Sequence, residues 1–120
     1  MAAILIVEDD VFIREVAEMT IQGWGHQTLV ASDVDEALAI LRSPLHIDAL
    51  FTDIYLKTAV LGGCEVAIQA IALRPGLRVL YTTGNTITDK MKALLVEGTH
   101  FLSKPYTENQ LEESVKTMFA

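Results

Sequence analysis

Ile4-Leu5-Ile6-Val7-Glu8-Asp9-Asp10 sets four apolar residues, three of them β-branched, against three consecutive acids. A strand with one wet face alternates apolar and polar side chains. An unbroken apolar run is instead that of a strand buried on both faces, as in a parallel sheet covered by helices. Outward from this run, helical and strand-like patterns alternate to the end of the chain. Phe12, Ile13, Val16, Ala17 and Thr20 recur at helical spacing until Gly23 and Gly25 stop the pattern, and this stripe is expected to face the core. Thr28 to Ala31 reads as a second strand. Asp33, with Glu36 three residues on, predicts a capping box for a helix that ends before Pro44.

Ala49-Leu50-Phe51-Thr52 is the third strand and runs into Asp53. A Gly-containing loop and a helix from about Gly63 to Leu73 follow, closed by Arg74-Pro75-Gly76. Arg78 to Thr82 is the fourth strand, and Thr88 to Glu97 reads as a helix stopped by Gly98. Phe101-Leu102 is a brief fifth strand before Lys104-Pro105, and Thr107 with Gln110 caps a last helix through Met118. Five strand–helix units with short connections predict an α/β fold, a parallel sheet with helices on both faces. There is no internal repeat, linker or break in composition, so residues 1–120 are expected to form one domain.

Composition narrows the function classes. A chain of 120 residues is long enough for a core without disulfides or metal, and it is 51% hydrophobic and 21% charged, which excludes a disordered chain. Nine basic against sixteen acidic residues leave a formal net charge of −7. That balance argues against a nucleic-acid surface and suits a cation site or a basic partner. Cys64 is the sole cysteine, so no internal disulfide exists, and it reads as a small residue near a helix start. No run approaches the ~18 apolar residues of a membrane span, and a cytoplasmic protein is expected. His26, His46 and His100 lack metal-ligand spacing, and Trp24 reads as packing at the end of the first helix.

The polar residues that break the pattern fall at strand ends: Glu8 and Asp9, Asp53, Thr83, and Lys104. Ligands of open parallel sheets bind beyond the carboxyl ends of the strands. If strands one, three, four and five are neighbours, these five residues converge. Three carboxylates in one cleft repel one another unless a cation joins them, and oxygen ligands suit Mg²⁺.

Taken together, Ile4 to Asp10, Thr52-Asp53-Ile54, Tyr81-Thr82-Thr83-Gly84 and Phe101-Leu102-Ser103-Lys104-Pro105-Tyr106 resemble the receiver domain of bacterial two-component response regulators, in order and spacing over the whole chain. The resemblance implies a flavodoxin-like (βα)5 sheet of strand order 2-1-3-4-5. It implies that Asp53 accepts a phosphoryl group from a phosphohistidine of a sensor histidine kinase or a histidine phosphotransfer protein. Asp9 and Asp53 would ligate Mg²⁺ with the backbone carbonyl of Tyr55, and Glu8 would hold a metal-bound water. Lys104 would pair with the phosphoryl oxygens, Thr83 would hydrogen-bond the phosphoryl group, and Phe101 would follow Thr83 inward as the switch aromatic. An unknown downstream protein would read the change, with no nucleic acid or membrane bound by this domain.

The chemistry supports these roles separately. Phosphoryl transfer needs positioning and neutralised oxygens, which a divalent ion and a lysine supply. An ionised carboxylate is a competent nucleophile once its neighbours are screened. Gly84 leaves room for the phosphoryl group. Two features depart from the family pattern: Lys57 stands where a proline is usual, and the loop to Gly62-Gly63 is about two residues longer. Tyr55 and Asn85 flank the path of a hydrolysing water, and a bulky ring beside a neutral amide predicts a long-lived acyl phosphate, unless the ring points to solvent.

Two other classes fit less well. An aspartyl-phosphate phosphatase would want an acid two residues after Asp53, where Tyr55 stands. A flavin- or dinucleotide-binding domain would want a Gly-rich phosphate loop after strand one, where three acids would repel phosphate. Both a stand-alone regulator and a receiver excised from a hybrid kinase or a longer regulator remain open.

Overall fold

The computed structural model describes residues 2–57, 59–84, 87–96 and 98–120. Asn85 and the predicted helix end at Glu97 lie outside the described residues. The strands are β1 (Ala3–Val7), β2 (Gln27–Ala31), β3 (Ala49–Asp53), β4 (Arg78–Thr83) and β5 (His100–Ser103). They form one parallel sheet of order β2-β1-β3-β4-β5. The helices between and after them are α1 (Val11–Gly23), α2 (Val34–Arg42), α3 (Gly62–Leu73), α4 (Asp89–Leu94) and α5 (Glu108–Phe119).

The unbroken apolar runs have the cause the sequence suggested. Every residue of β1 and β3 is buried, and successive side chains enter opposite core layers. Leu5, Val7, Leu50, Val79 and Tyr81 pack with Leu38, Leu41 and Val66 of α2 and α3. Ile4, Ile6, Phe51 and Leu80 pack with Ala17 and Ile21 of α1 and with Leu111 and Val115 of α5. β2 and β5, at the sheet edges, are only partly buried. Trp24 rests half-buried against the α1/α5 layer, as expected.

Three local expectations need correction. The α1 stripe is not all core, because Phe12 is 75% and Val16 47% exposed. Two adjacent i, i+4 ridges run along this helix, and only the one through Ala17 and Ile21 has sheet beneath it. The α2 box is half formed: Asp33 Oδ1 accepts from Glu36 N at 2.8 Å, but the Glu36 carboxylate takes the amide and hydroxyl of Ser32 instead of the Asp33 amide. The fourth helix stops at Leu94, because the Val96 amide is held by the hydroxyl of Tyr81 on β4, at 3.2 Å. The Thr107–Gln110 box of α5 is complete, with reciprocal bonds of 3.1 and 2.8 Å.

Candidate functional site

β1 and β3 are in register from Ile4↔Ala49 to Val7↔Thr52, so the residues that follow them, Glu8 and Asp53, emerge side by side at the carboxyl edge. Both are buried, at 4% and 7% exposure, and Asp9 is half-buried beside them. One carboxylate oxygen from each of the three lies within 4.8 Å of those of the other two. Asp10 turns away from this cluster. Its Oδ1 accepts from Ile13 N at 3.0 Å and caps α1.

Lys104 arrives from the end of β5, its amide held by the Thr83 carbonyl at 3.0 Å. The following peptide, Lys104–Pro105, is cis. Lys104 Nζ lies 2.5 Å from Glu8 Oε1 and 2.7 Å from Asp53 Oδ2, so one ammonium bridges two buried acids. Burial disfavours the Glu8 carboxylate and raises its pKa despite hydrogen bonds from Lys104 and the Asp10 amide. For Lys104 burial works downward, but the hydrogen bonds to Asp53 and Glu8 prevail and push it up. The ammonium is therefore the charge-balancing group of the cleft.

Backbone donors complete the arrangement. Asp53 Oδ1 accepts from Tyr55 N at 3.2 Å, Asp9 Oδ2 from Lys57 N at 2.5 Å, and Glu8 Oε2 from Asp10 N at 3.1 Å. Arg14, on the first turns of α1, donates through Nη1 to the Glu8 carbonyl at 3.0 Å. Sequence reading missed Arg14 and these amides, since only the tertiary arrangement of the β1–α1 and β3–α3 loops brings them here. Lys57, in the place of the usual proline, thus contributes an amide that a proline would lack.

Thr83 is buried as the last residue of β4, one position past Thr82, the register partner of Asp53. Phe101 pairs with Tyr81 across β4 and β5 and packs half-buried against the α3/α4 layer, on the Thr83 side of the sheet. Tyr55 neither points freely to solvent nor stands alone over the cleft. Its hydroxyl donates to Met91 Sδ on α4 at 3.4 Å, which lays the half-buried ring toward that helix. An added Cβ at Gly84 would meet only Lys104 Cβ, at an ordinary 3.7 Å, so the protein itself does not demand a glycine there. Cys64 is buried, as expected of a packing residue.

Three oxygen donors converging within 4.8 Å fit a hard divalent cation such as Mg²⁺. Glu8, Asp9 and Asp53 would hold it, and the Tyr55 carbonyl lies two peptides beyond Asp53 on the same loop. His26 and His46 play no part: His26 Nδ1 accepts from Ala2 N, and His46 pairs with Asp48, at the opposite edge of the sheet. Beside the cleft runs a groove of about 420 Å³, lined by Phe12, Val16, Gly84, Lys104 and Tyr106. Among the described residues no helix is long and apolar enough to cross a membrane.

Comparison with known proteins agrees with this geometry. The family model of the response regulator receiver domain matches residues 4–116. The transcriptional regulatory protein YrkP of Bacillus subtilis (strain 168), itself uncharacterized, is 31% identical over 113 residues, 93% of this chain and 47% of that protein. The chain thus spans about half the length of this curated relative. A response regulator receiver protein from Sinorhizobium medicae WSM419 is 26% identical with a TM-score of 0.88, over 98% of this chain and 93% of that one. The receiver domain of the hybrid histidine kinase CckA is 28% identical with a TM-score of 0.80, over 98% and 99% of the two chains.

Proposed function

The chain belongs to the response regulator receiver family, and from that premise we propose that Asp53 is its phosphoacceptor. A receiver of two-component signalling is a signalling domain rather than a classical enzyme. In this reading an Asp53 oxygen attacks the phosphorus of a phosphohistidine, the N–P bond breaks, and the imidazole leaves as the acyl phosphate forms. The observation that carries it is the buried Asp53 carboxylate, 2.7 Å from Lys104 Nζ and within reach of two further acids. A group so placed is desolvated, charge-balanced and oriented, which is what in-line transfer requires.

Glu8, Asp9, Asp53 and the Tyr55 carbonyl would hold Mg²⁺, Glu8 through a metal-bound water, and the ion would supply positive charge to the phosphoryl oxygens. Lys104 supplies the second positive charge, Thr83 hydrogen-bonds the phosphoryl group, and Phe101 passes the change to the face of α4, β5 and α5. The donor is a sensor histidine kinase or histidine phosphotransfer protein. The apolar residues Val11, Phe12, Val16 and Met19 stand exposed on α1 next to the groove at Lys104, which supports docking of that donor there. Small phosphodonors and water support slower self-phosphorylation and self-dephosphorylation. Residues 1–120 act as one cytoplasmic receiver unit. YrkP and CckA keep the alternative of a receiver within a longer regulator or hybrid kinase in view.

Acetyl phosphate with Mg²⁺ should label the protein once, on Asp53, and Asp53→Asn should abolish labelling as read by intact mass. Full labelling of that variant would refute the assignment.

A further inference from the structure

Thr82 is the one side chain among the described residues whose buried polar atom has no hydrogen-bond partner. It is 3% exposed and pairs in register with Asp53 across β3 and β4, so the two side chains leave neighbouring strands on the same face of the sheet. A narrow crevice joins it to Asp53, Glu8 and Tyr106 between apolar walls from Ile6 and Phe51, with no room for a water molecule. A buried hydroxyl with neither protein nor water partner is a net cost, and valine would fill the same space without it. The hydroxyl therefore asks for a state in which it is used.

Asp53 does not serve it here: Oδ2 faces Lys104 at 2.7 Å and Oδ1 takes the Tyr55 amide at 3.2 Å. Resting on the cation-site reading above, we propose that Thr82 is a positioning residue of the loaded site. When Glu8, Asp9 and Asp53 turn to a divalent cation, the Lys104 ammonium loses its hold on Asp53. Thr82 Oγ1 then donates to the carboxylate edge that Lys104 has vacated and holds its rotamer for attack. The orphaned hydroxyl is the cost of a hydrogen bond made only in the working state.

Thermal melts with and without Mg²⁺, and Mg²⁺ titration, test this on wild type, Thr82→Val and Thr82→Ser. Thr82→Val should melt about 2–5 °C higher than wild type without Mg²⁺, because the orphan is gone. The same variant should bind Mg²⁺ roughly fivefold to tenfold more weakly. Thr82→Ser loses a packed methyl and melts lower, but should keep the wild-type Mg²⁺ affinity. A purely structural threonine would not separate the two readouts in this way. Unchanged affinity in Thr82→Val, or a lower melting point for it without Mg²⁺, overturns the proposal. A wild type that shows no Mg²⁺ response overturns the cation site itself, and that failure is visible before any variant is made.

Discussion

At the residue scale the site depends as much on a missing side chain as on those present. Gly63, in the first turn of α3, lies against the end of β3, and its amide donates to the Ile54 carbonyl at 3.0 Å. A Cβ added there would stand 1.9 Å from the Asp53 carbonyl oxygen and 2.7 Å from its carbon. Both are backbone atoms, so neither can swing aside. Gly63→Ala should therefore cost on the order of 2–3 kcal/mol in urea unfolding, and should displace Asp53 enough to slow phosphorylation. Gly84→Ala, with only a 3.7 Å contact to Lys104 Cβ, is the control and should unfold close to wild type. Equal stability of the two variants would contradict the close approach. The acids and Lys104 were legible in the sequence because they fall in order at successive strand ends, whereas a single acid at a strand end is ordinarily a solvated turn residue. Gly63 was visible only as the point where a loop gives way to a helix, since the need for a glycine there comes from the backbone at the end of β3.

At the element scale, legibility depended on how many neighbours an element has. β1 and β3, covered on both faces, read correctly as continuous apolar runs. α1 misled, because periodicity marks apolar ridges without saying which has sheet under it, and the Phe12–Val16 ridge stands in water. α4 misled differently. Its pattern continues toward Glu97, but the Tyr81 hydroxyl captures the Val96 amide and the helix ends after six residues. A helix so short has little stability of its own, and its hold on the body comes from tertiary ties. Met91 is the main one, fully buried, with its sulfur accepting the Tyr55 hydroxyl at 3.4 Å and the Thr88 amide at 3.5 Å. Tyr55 thus links the loop after Asp53 to α4. Tyr55→Phe should leave global stability within about 1 kcal/mol, since one hydrogen bond to sulfur is lost. Amide exchange in residues 89–94 should quicken selectively, because local opening of α4 becomes easier. Exchange unchanged in those residues would mean that the tie carries no weight.

For the whole molecule, the sheet's two core layers make folding and charge state one problem. Tyr81 is fully buried at the centre of β4, and burial pushes its phenol up to about 12 despite the hydrogen bond from the Val96 amide. Tyr106, half-buried against the cleft, is also pushed up to about 12 by burial. In the unfolded chain both ionise near 10. The folded state therefore favours the neutral phenol, and this contribution is complete below pH 10 and lost as pH rises from 10 through 12. Two pKa units on a fully buried group correspond to roughly 2–3 kcal/mol. Lys104, raised by its two acids, adds loss of the same sign as it deprotonates. Urea midpoints should accordingly fall steeply above pH 10. In Tyr81→Phe the fall between pH 10 and 12 should be shallower, although the variant starts about 1 kcal/mol lower at pH 7 because the Val96 amide loses its acceptor. Parallel curves for variant and wild type would show that Tyr81 ionises without unfolding the sheet, and that the α3/α4 layer yields locally to admit water.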